Sequence, residues 1–147
     1  MGKTPHWAAS VVCLCLGLSF ISAVRAGDKI VAPLDIPGAV KVDAEGVLRL
    51  AETLPQLIVI DSRIAVDRKQ GYIEGSLSLP DAQTTCATLA RRVANKGDAV
   101  LFYCNGPKCG RSVVGVRTAL QCGYRQVYWF RGGFEEWKQK GFPYLKE

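Results

Sequence analysis

Hydrophobic positions along this chain fall into short unbroken runs, separated by stretches with a helical period. Leu57-Ile-Val-Ile-Asp61, Ala99-Val-Leu-Phe-Tyr103 and Val127-Tyr-Trp-Phe130 are apolar almost without interruption. Runs of that length predict strands buried on both faces, as in a parallel sheet. Val40 to Val42 and Ser76 to Leu79 read as two shorter strands. Between these runs the spacing changes. Asp43 is a good N-cap for a helix from Ala44 to Leu54, with Val47, Leu48, Leu50, Ala51 and Leu54 on one face and Pro55 as its stop. Ile64 to Gln70 reads as one short helical stretch. A helix from about Thr85 to Ala94 turns Cys86, Leu89, Ala90 and Val93 inward. Arg111 to Gln121 and Phe134 to Lys140 are the last two helices, and Trp137 docks the latter on the core. Gly71 to Gly75, Asn95 to Gly97 and Arg131 to Gly133 supply turns. Strand and helix therefore alternate, which implies an α/β fold: a parallel sheet with helices on both faces.

The first 26 residues stand outside that alternation. Lys3 gives a positive start, Val11 to Val24 is uncharged and mostly apolar, and Val24-Arg25-Ala26 offers small residues where a signal peptidase reads. Residues 1–26 are thus expected to be a signal peptide, cleaved before Gly27; an uncleaved membrane anchor is the other reading. Its strongly apolar part falls short of the roughly 20 residues a membrane span prefers. Residues 27–39 hold Pro33 and Pro37 and read as an extended arm, leaving residues 40–147 for one domain. Periplasmic or secreted localisation follows, with no membrane attachment after cleavage.

Charge narrows the partners. The formal net charge is +6, of which the part after Ala26 carries +4, from 17 cations against 13 anions. No dense Lys/Arg run or aromatic-basic ladder appears, which argues against nucleic acid. A mild positive balance suits a small anionic substrate. His6, the single histidine, leaves with the signal. The mature chain then has neither a Cys-His nucleophile pair nor a histidine-based metal site, and its cysteines lack the paired spacing of a zinc site. No metal and no cofactor is expected. Cys13 and Cys15 also leave with the signal; Cys86, Cys104, Cys109 and Cys122 remain. Cys86 is expected to pack in the core and Cys122 to be a buried or capping residue.

Cys104 is the cysteine with chemistry. It ends the Ala99–Tyr103 strand and is followed by Asn105-Gly-Pro-Lys-Cys109-Gly-Arg111, which leads directly into a helix. Open α/β sheets bind their ligands at that position. Loop and helix-start N–H groups lack intrahelical partners and can form an anion-binding nest. Asn105, Gly106 and Gly110 shape this cradle, the glycines by admitting positive φ, while Lys108 and Arg111 bring positive charge to its rim. Together they are expected to hold Cys104 as thiolate near neutral pH. Cys109, five positions on, is a possible redox partner, expected to form a labile disulfide with Cys104. At the end of the preceding strand, Asp61 and Arg63 are expected to support the loop.

These residues resemble a known family. Ile60-Asp61-Ser62-Arg63, Gly71-Tyr-Ile-Glu-Gly-Ser-Leu-Ser-Leu-Pro80, the Cys104 loop and Gly132-Gly133-Phe-Glu-Glu-Trp137 are similar to the rhodanese (thiosulfate sulfurtransferase) domain, from about Val42 to Pro143. The resemblance implies a five-stranded parallel sheet flanked by helices. It also implies a cysteine, here Cys104, that carries a sulfane sulfur as persulfide. Where small rhodaneses have an arginine five residues after that cysteine, this chain has Cys109, and Arg111-Ser112 follows two residues later. The Cys-Asn-Gly-Pro-Lys-Cys loop resembles that of exported single-domain members. Related phosphatases place five residues between cysteine and arginine; here there are six.

The leading expectation is a sulfurtransferase taking sulfur from thiosulfate or another small anionic donor to cyanide, a thiol or a sulfur-accepting protein. A thiol-disulfide or sensing protein using Cys104 and Cys109 is the second reading. A catalytically inert binding module with the same fold is the third.

Overall fold

Five strands and five helices alternate in the computed structural model, which describes residues 31–147; the expected signal segment lies outside them. The elements are β1 (Val40–Val42), α1 (Ala44–Thr53), β2 (Ile58–Asp61), α2 (Ala65–Lys69), β3 (Leu77–Ser78), α3 (Cys86–Ala90), β4 (Ala99–Tyr103), α4 (Arg111–Gln121), β5 (Gln126–Phe130) and α5 (Gly133–Gln139). All strand pairs are parallel, in the order β1-β5-β4-β2-β3. β4 lies at the centre, and every one of its residues is buried.

Alternation along β4 divides the core. Val100 and Phe102 join one apolar cluster with Leu89, Val93, Val113, Val116 and Ala119, so α3 and α4 cover that face. Leu101 and Tyr103 join a second cluster with Ala44, Val47, Phe134 and Trp137, so α1 and α5 cover the other. Each fully buried side chain of this size contributes about 1.5–3 kcal/mol relative to exposure. At Gly115 the helix comes so close to the sheet that a Cβ would stand 2.6 Å from the Phe102 ring.

Two expectations change here. The helix expected from Thr85 to Ala94 is only Cys86–Ala90, capped by the Thr85 hydroxyl, which accepts from the Thr88 N–H at 3.2 Å. Cys86 does not pack inward as expected. It is exposed and forms a disulfide with Cys122 at the C-cap of α4, tying α3 to α4. Only part of the N-terminal arm is described, and that part is woven into the domain. Ala32 and Ile36 are buried in the α4-side cluster, and Arg131 Nε donates to the Pro33 carbonyl at 2.7 Å. Among the described residues no helix is long and apolar enough to cross a membrane.

Candidate active site

Cys104 follows the last residue of β4 and is 1 % exposed. Its Sγ donates to the carbonyl of Cys109 at 3.0 Å and accepts from the Ser112 hydroxyl at 3.2 Å. Ser112 accepts in turn from the Trp129 indole Nε1 at 3.0 Å, which fixes the hydroxyl's orientation. The loop is pinned from the far end of the chain. Phe134 N–H donates to the Cys104 carbonyl at 2.9 Å, and Glu135 N–H donates to that of Asn105 at 2.7 Å. Gly133, with φ +60°, makes this approach possible, because a Cβ there would collide with the backbone of Cys104 and Asn105.

The loop glycines act differently from the expectation. Neither Gly106 nor Gly110 has positive φ; Gly110 sits at −85° as the N-cap of α4. Gly106 supplies room, since a Cβ would strike the Glu135 carboxylate.

The second sulfur holds the position expected of the first. Cys109 is half-buried in the same loop. The Cys104 thiol lowers the pKa of Cys109 most, followed by the Arg111 and Asn105 backbone amides and the Arg111 charge, and together they outweigh burial and pull it down to about 6. Cys104 moves the other way. The Cys109 thiolate beside it pushes its pKa above the ordinary thiol range, burial adds to that, and Ser112 opposes both. These shifts run against the resting thiolate expected at Cys104 and favour the pair's negative charge on Cys109, beside the loop amides and Arg111. Neither cysteine is disulfide-bonded here, so the expected Cys104–Cys109 bond is open.

The expected cationic rim is largely neutralised. Arg111 Nη1 pairs with Asp67 Oδ2 at 2.9 Å, and its Nε lies 3.8 Å from Asp81 Oδ1. Asn105 Nδ2 donates to the same Asp67 oxygen at 2.9 Å. Lys108 is exposed and makes no ion pair among the described residues. Beside the loop lies a cleft of about 240 Å³, lined by Arg63, Asp67, Gln70, Asn105, Phe134, Glu135 and Lys138.

Under the loop, Asp61 is fully buried and accepts from Arg63 at 2.9 and 2.7 Å, from Arg68 at 3.2 Å and from the Tyr103 hydroxyl at 2.8 Å. Arg63 also donates to the Gly71 carbonyl at 2.7 Å, and Arg68 donates to Ser76 Oγ at 3.0 Å. Tyr103 is the residue before Cys104, so this network joins the ends of β2 and β4 to the segment before β3. Burial, then the Asp61 charge, pushes the Tyr103 phenol's pKa well up, so Tyr103 donates its proton to the network and does not titrate. Sequence reasoning assigned no role to Ser112, Asp67, Arg68, Tyr103, Trp129 or Gly133. Ser112 had a local signal, its place in the Arg-Ser pair opening α4. Asp67, Arg68, Trp129 and Gly133 are 17 or more positions from the Cys104–Ser112 loop, and Tyr103 reads as plain strand.

A model of the rhodanese-like domain matches residues 43–140. No curated protein matches the chain. Among solved structures, the BH2092 protein of Bacillus halodurans superposes with a TM-score of 0.65 at 23% identity, covering 74% of this chain and 77% of that one. Thiosulfate sulfurtransferase of Pseudomonas aeruginosa gives 0.64 at 23% identity over 74% of this chain, which spans 20% of that enzyme. The polysulfide-sulfur transferase homodimer of Wolinella succinogenes gives 0.62 at 19% identity, over 75% of this chain and 80% of the other.

Proposed function

Because the chain belongs to the rhodanese-like domain family, we propose that it is a sulfurtransferase, which moves a sulfane sulfur from thiosulfate or a related donor to a thiophilic acceptor through a persulfide on Cys104. The observation that carries this reading is the seat of Cys104. It is a thiol at the carboxyl end of the central strand, where a loop enters a helix, with the Ser112 hydroxyl donating to its sulfur.

Activation needs no histidine. The Cys104 thiol gives up its proton to solvent, and the Ser112 hydroxyl donates to the thiolate that remains. Cys104 Sγ then attacks the outer sulfur of thiosulfate, the S–S bond of the donor breaks, and sulfite departs with the bonding pair. The Ser112 hydroxyl, donating to Cys104 Sγ, stabilises the charge as it moves onto the persulfide. An acceptor such as cyanide, a thiol or a sulfur-accepting protein removes the outer sulfur and returns Cys104 thiolate. The Cys86–Cys122 bond supports placing the protein in an oxidising compartment, periplasmic or secreted, as its N-terminal sequence suggests.

The test is thiosulfate-dependent sulfur transfer to cyanide by the wild type and by Cys104→Ser. Loss of transfer in a folded Cys104→Ser supports the reading; full transfer in that variant would end it.

A further inference from the structure

The sulfur chemistry proposed above uses one thiol as carrier, yet the loop holds two. Cys109 stands where the usual small-rhodanese loop has an arginine, and three observations bring it to bear on Cys104. The Cys104 Sγ is held 3.0 Å from the carbonyl of Cys109 itself, so the backbone of the second cysteine is anchored beside the first sulfur. The Cys104 thiol, the loop N–H groups and the Arg111 charge lower the pKa of Cys109, which favours its thiolate beside Cys104. Cys104 is buried while Cys109 is half-buried, so of the two only Cys109 is open to solvent.

We propose, on the premise that Cys104 carries a persulfide, that Cys109 resolves it, attacking Cys104 Sγ so that the outer sulfur leaves as hydrosulfide and the chain ends as a Cys104–Cys109 disulfide. In this step the Cys109–Cys104 S–S bond forms and the persulfide S–S bond breaks. Its electron pair goes to the departing sulfur, which is reduced from the sulfane to the sulfide level as the two thiols are oxidised. Over the whole cycle, two thiols and one thiosulfate dianion give one disulfide, one sulfite, one hydrosulfide and one proton. Attack at the inner sulfur is favoured because hydrosulfide is a better leaving group than an alkyl thiolate. Turnover then needs a dithiol reductant, which reopens the bond by exchange. In its absence the protein performs one cycle and stops.

The experiment is a single turnover. Wild type and Cys109→Ser are reduced mildly, freed of reductant and incubated to completion with thiosulfate. Sulfite and hydrosulfide are then assayed, with intact mass and a peptide map that assigns each disulfide. The wild type should release one equivalent each of sulfite and hydrosulfide. It should lose about 2 Da, with the new bond mapped to Cys104–Cys109 beside an unchanged Cys86–Cys122. Cys109→Ser should release sulfite only and gain about 32 Da on Cys104. A wild type that keeps the added sulfur on Cys104 with Cys109 still a thiol would overturn the proposal. So would a Cys109→Ser that stays inert while the wild type releases sulfite, since the receiving thiol would then be Cys109. Absence of sulfite from both proteins would instead remove the sulfurtransferase reading on which the proposal rests.

Discussion

Titration of the loop thiols tests the electrostatics of the site most directly. The perturbation is pH, read by alkylation of each cysteine. Cys109 is pulled down to about 6 by the Cys104 thiol, the amides of Arg111 and Asn105 and the Arg111 charge. At pH 7 a thiol with that value is about 0.9 thiolate, against about 0.03 for a free cysteine of pKa near 8.5, a gain of roughly thirtyfold. The gain in rate is much smaller. Thiolate nucleophilicity falls with pKa at a Brønsted slope of about 0.4–0.5, which removes roughly ten- to twentyfold over this range. The net acceleration at pH 7 is therefore only about two- to threefold, and the decisive quantity is the pH midpoint. Alkylation with iodoacetamide, quenched over a pH series and read by peptide mapping, should show Cys109 reacting with a midpoint near 6. Below that midpoint the rate should fall about tenfold per pH unit. Cys104, buried and raised, should react last. Cys104→Ala removes the largest cause of the lowering and should move the Cys109 midpoint upward. A Cys109 midpoint at or above about 8.5, or Cys104 reacting first at pH 7, would refute the reasoning.

Three further outcomes follow from the packing. Asp61→Ala strands the buried Arg63 and the nearly buried Arg68 without their shared carboxylate. Denaturant unfolding should show a loss of about 3–5 kcal/mol, and a loss under about 1 kcal/mol would mean the guanidiniums find other partners. Asp67→Asn frees the Arg111 charge, so steady-state assays should give a thiosulfate KM about two- to fivefold lower, with little change for an uncharged donor. An unchanged thiosulfate KM would count against Arg111 as a donor contact. Replacing Cys86 and Cys122 together by serine opens a bond spanning 36 positions and should cost about 2–4 kcal/mol of unfolding free energy. Equal stability of that variant and the oxidised wild type would show that the cross-link adds nothing.

What the sequence determined by itself is what lies contiguous along the chain. The buried run Ala99–Tyr103, the turn at Asn105-Gly-Pro and the helical spacing from Arg111 place Cys104 at a strand end and a helix start, whatever surrounds them. The pairing of Asp61 with Arg63 is equally local, two positions apart at the mouth of β2. Alternation of apolar runs and helical periods determined the parallel sheet in the same way, because a strand buried on both faces needs helices above and below it. Tertiary structure decided the rest. Arg111 is a rim cation in sequence, but folding brings Asp67 and Asp81 against it from segments 44 and 30 positions away, and neighbours at that separation leave no periodic signature. Cys86 read as a core residue of a helix and Cys122 as a buried or capping residue, and only the packing of α3 on α4 brings them together. The activated sulfur was decided there too. The direction of loop amides depends on how the loop is pressed down, and here Gly133, Phe134 and Glu135 hold the carbonyls of Cys104 and Asn105 from the start of α5. With that backbone fixed, Cys104 faces the carbonyl oxygen of Cys109, and the Cys104 thiol, the loop amides and Arg111 lower the Cys109 pKa, so the charge that the sequence suggested for one cysteine is favoured on the other.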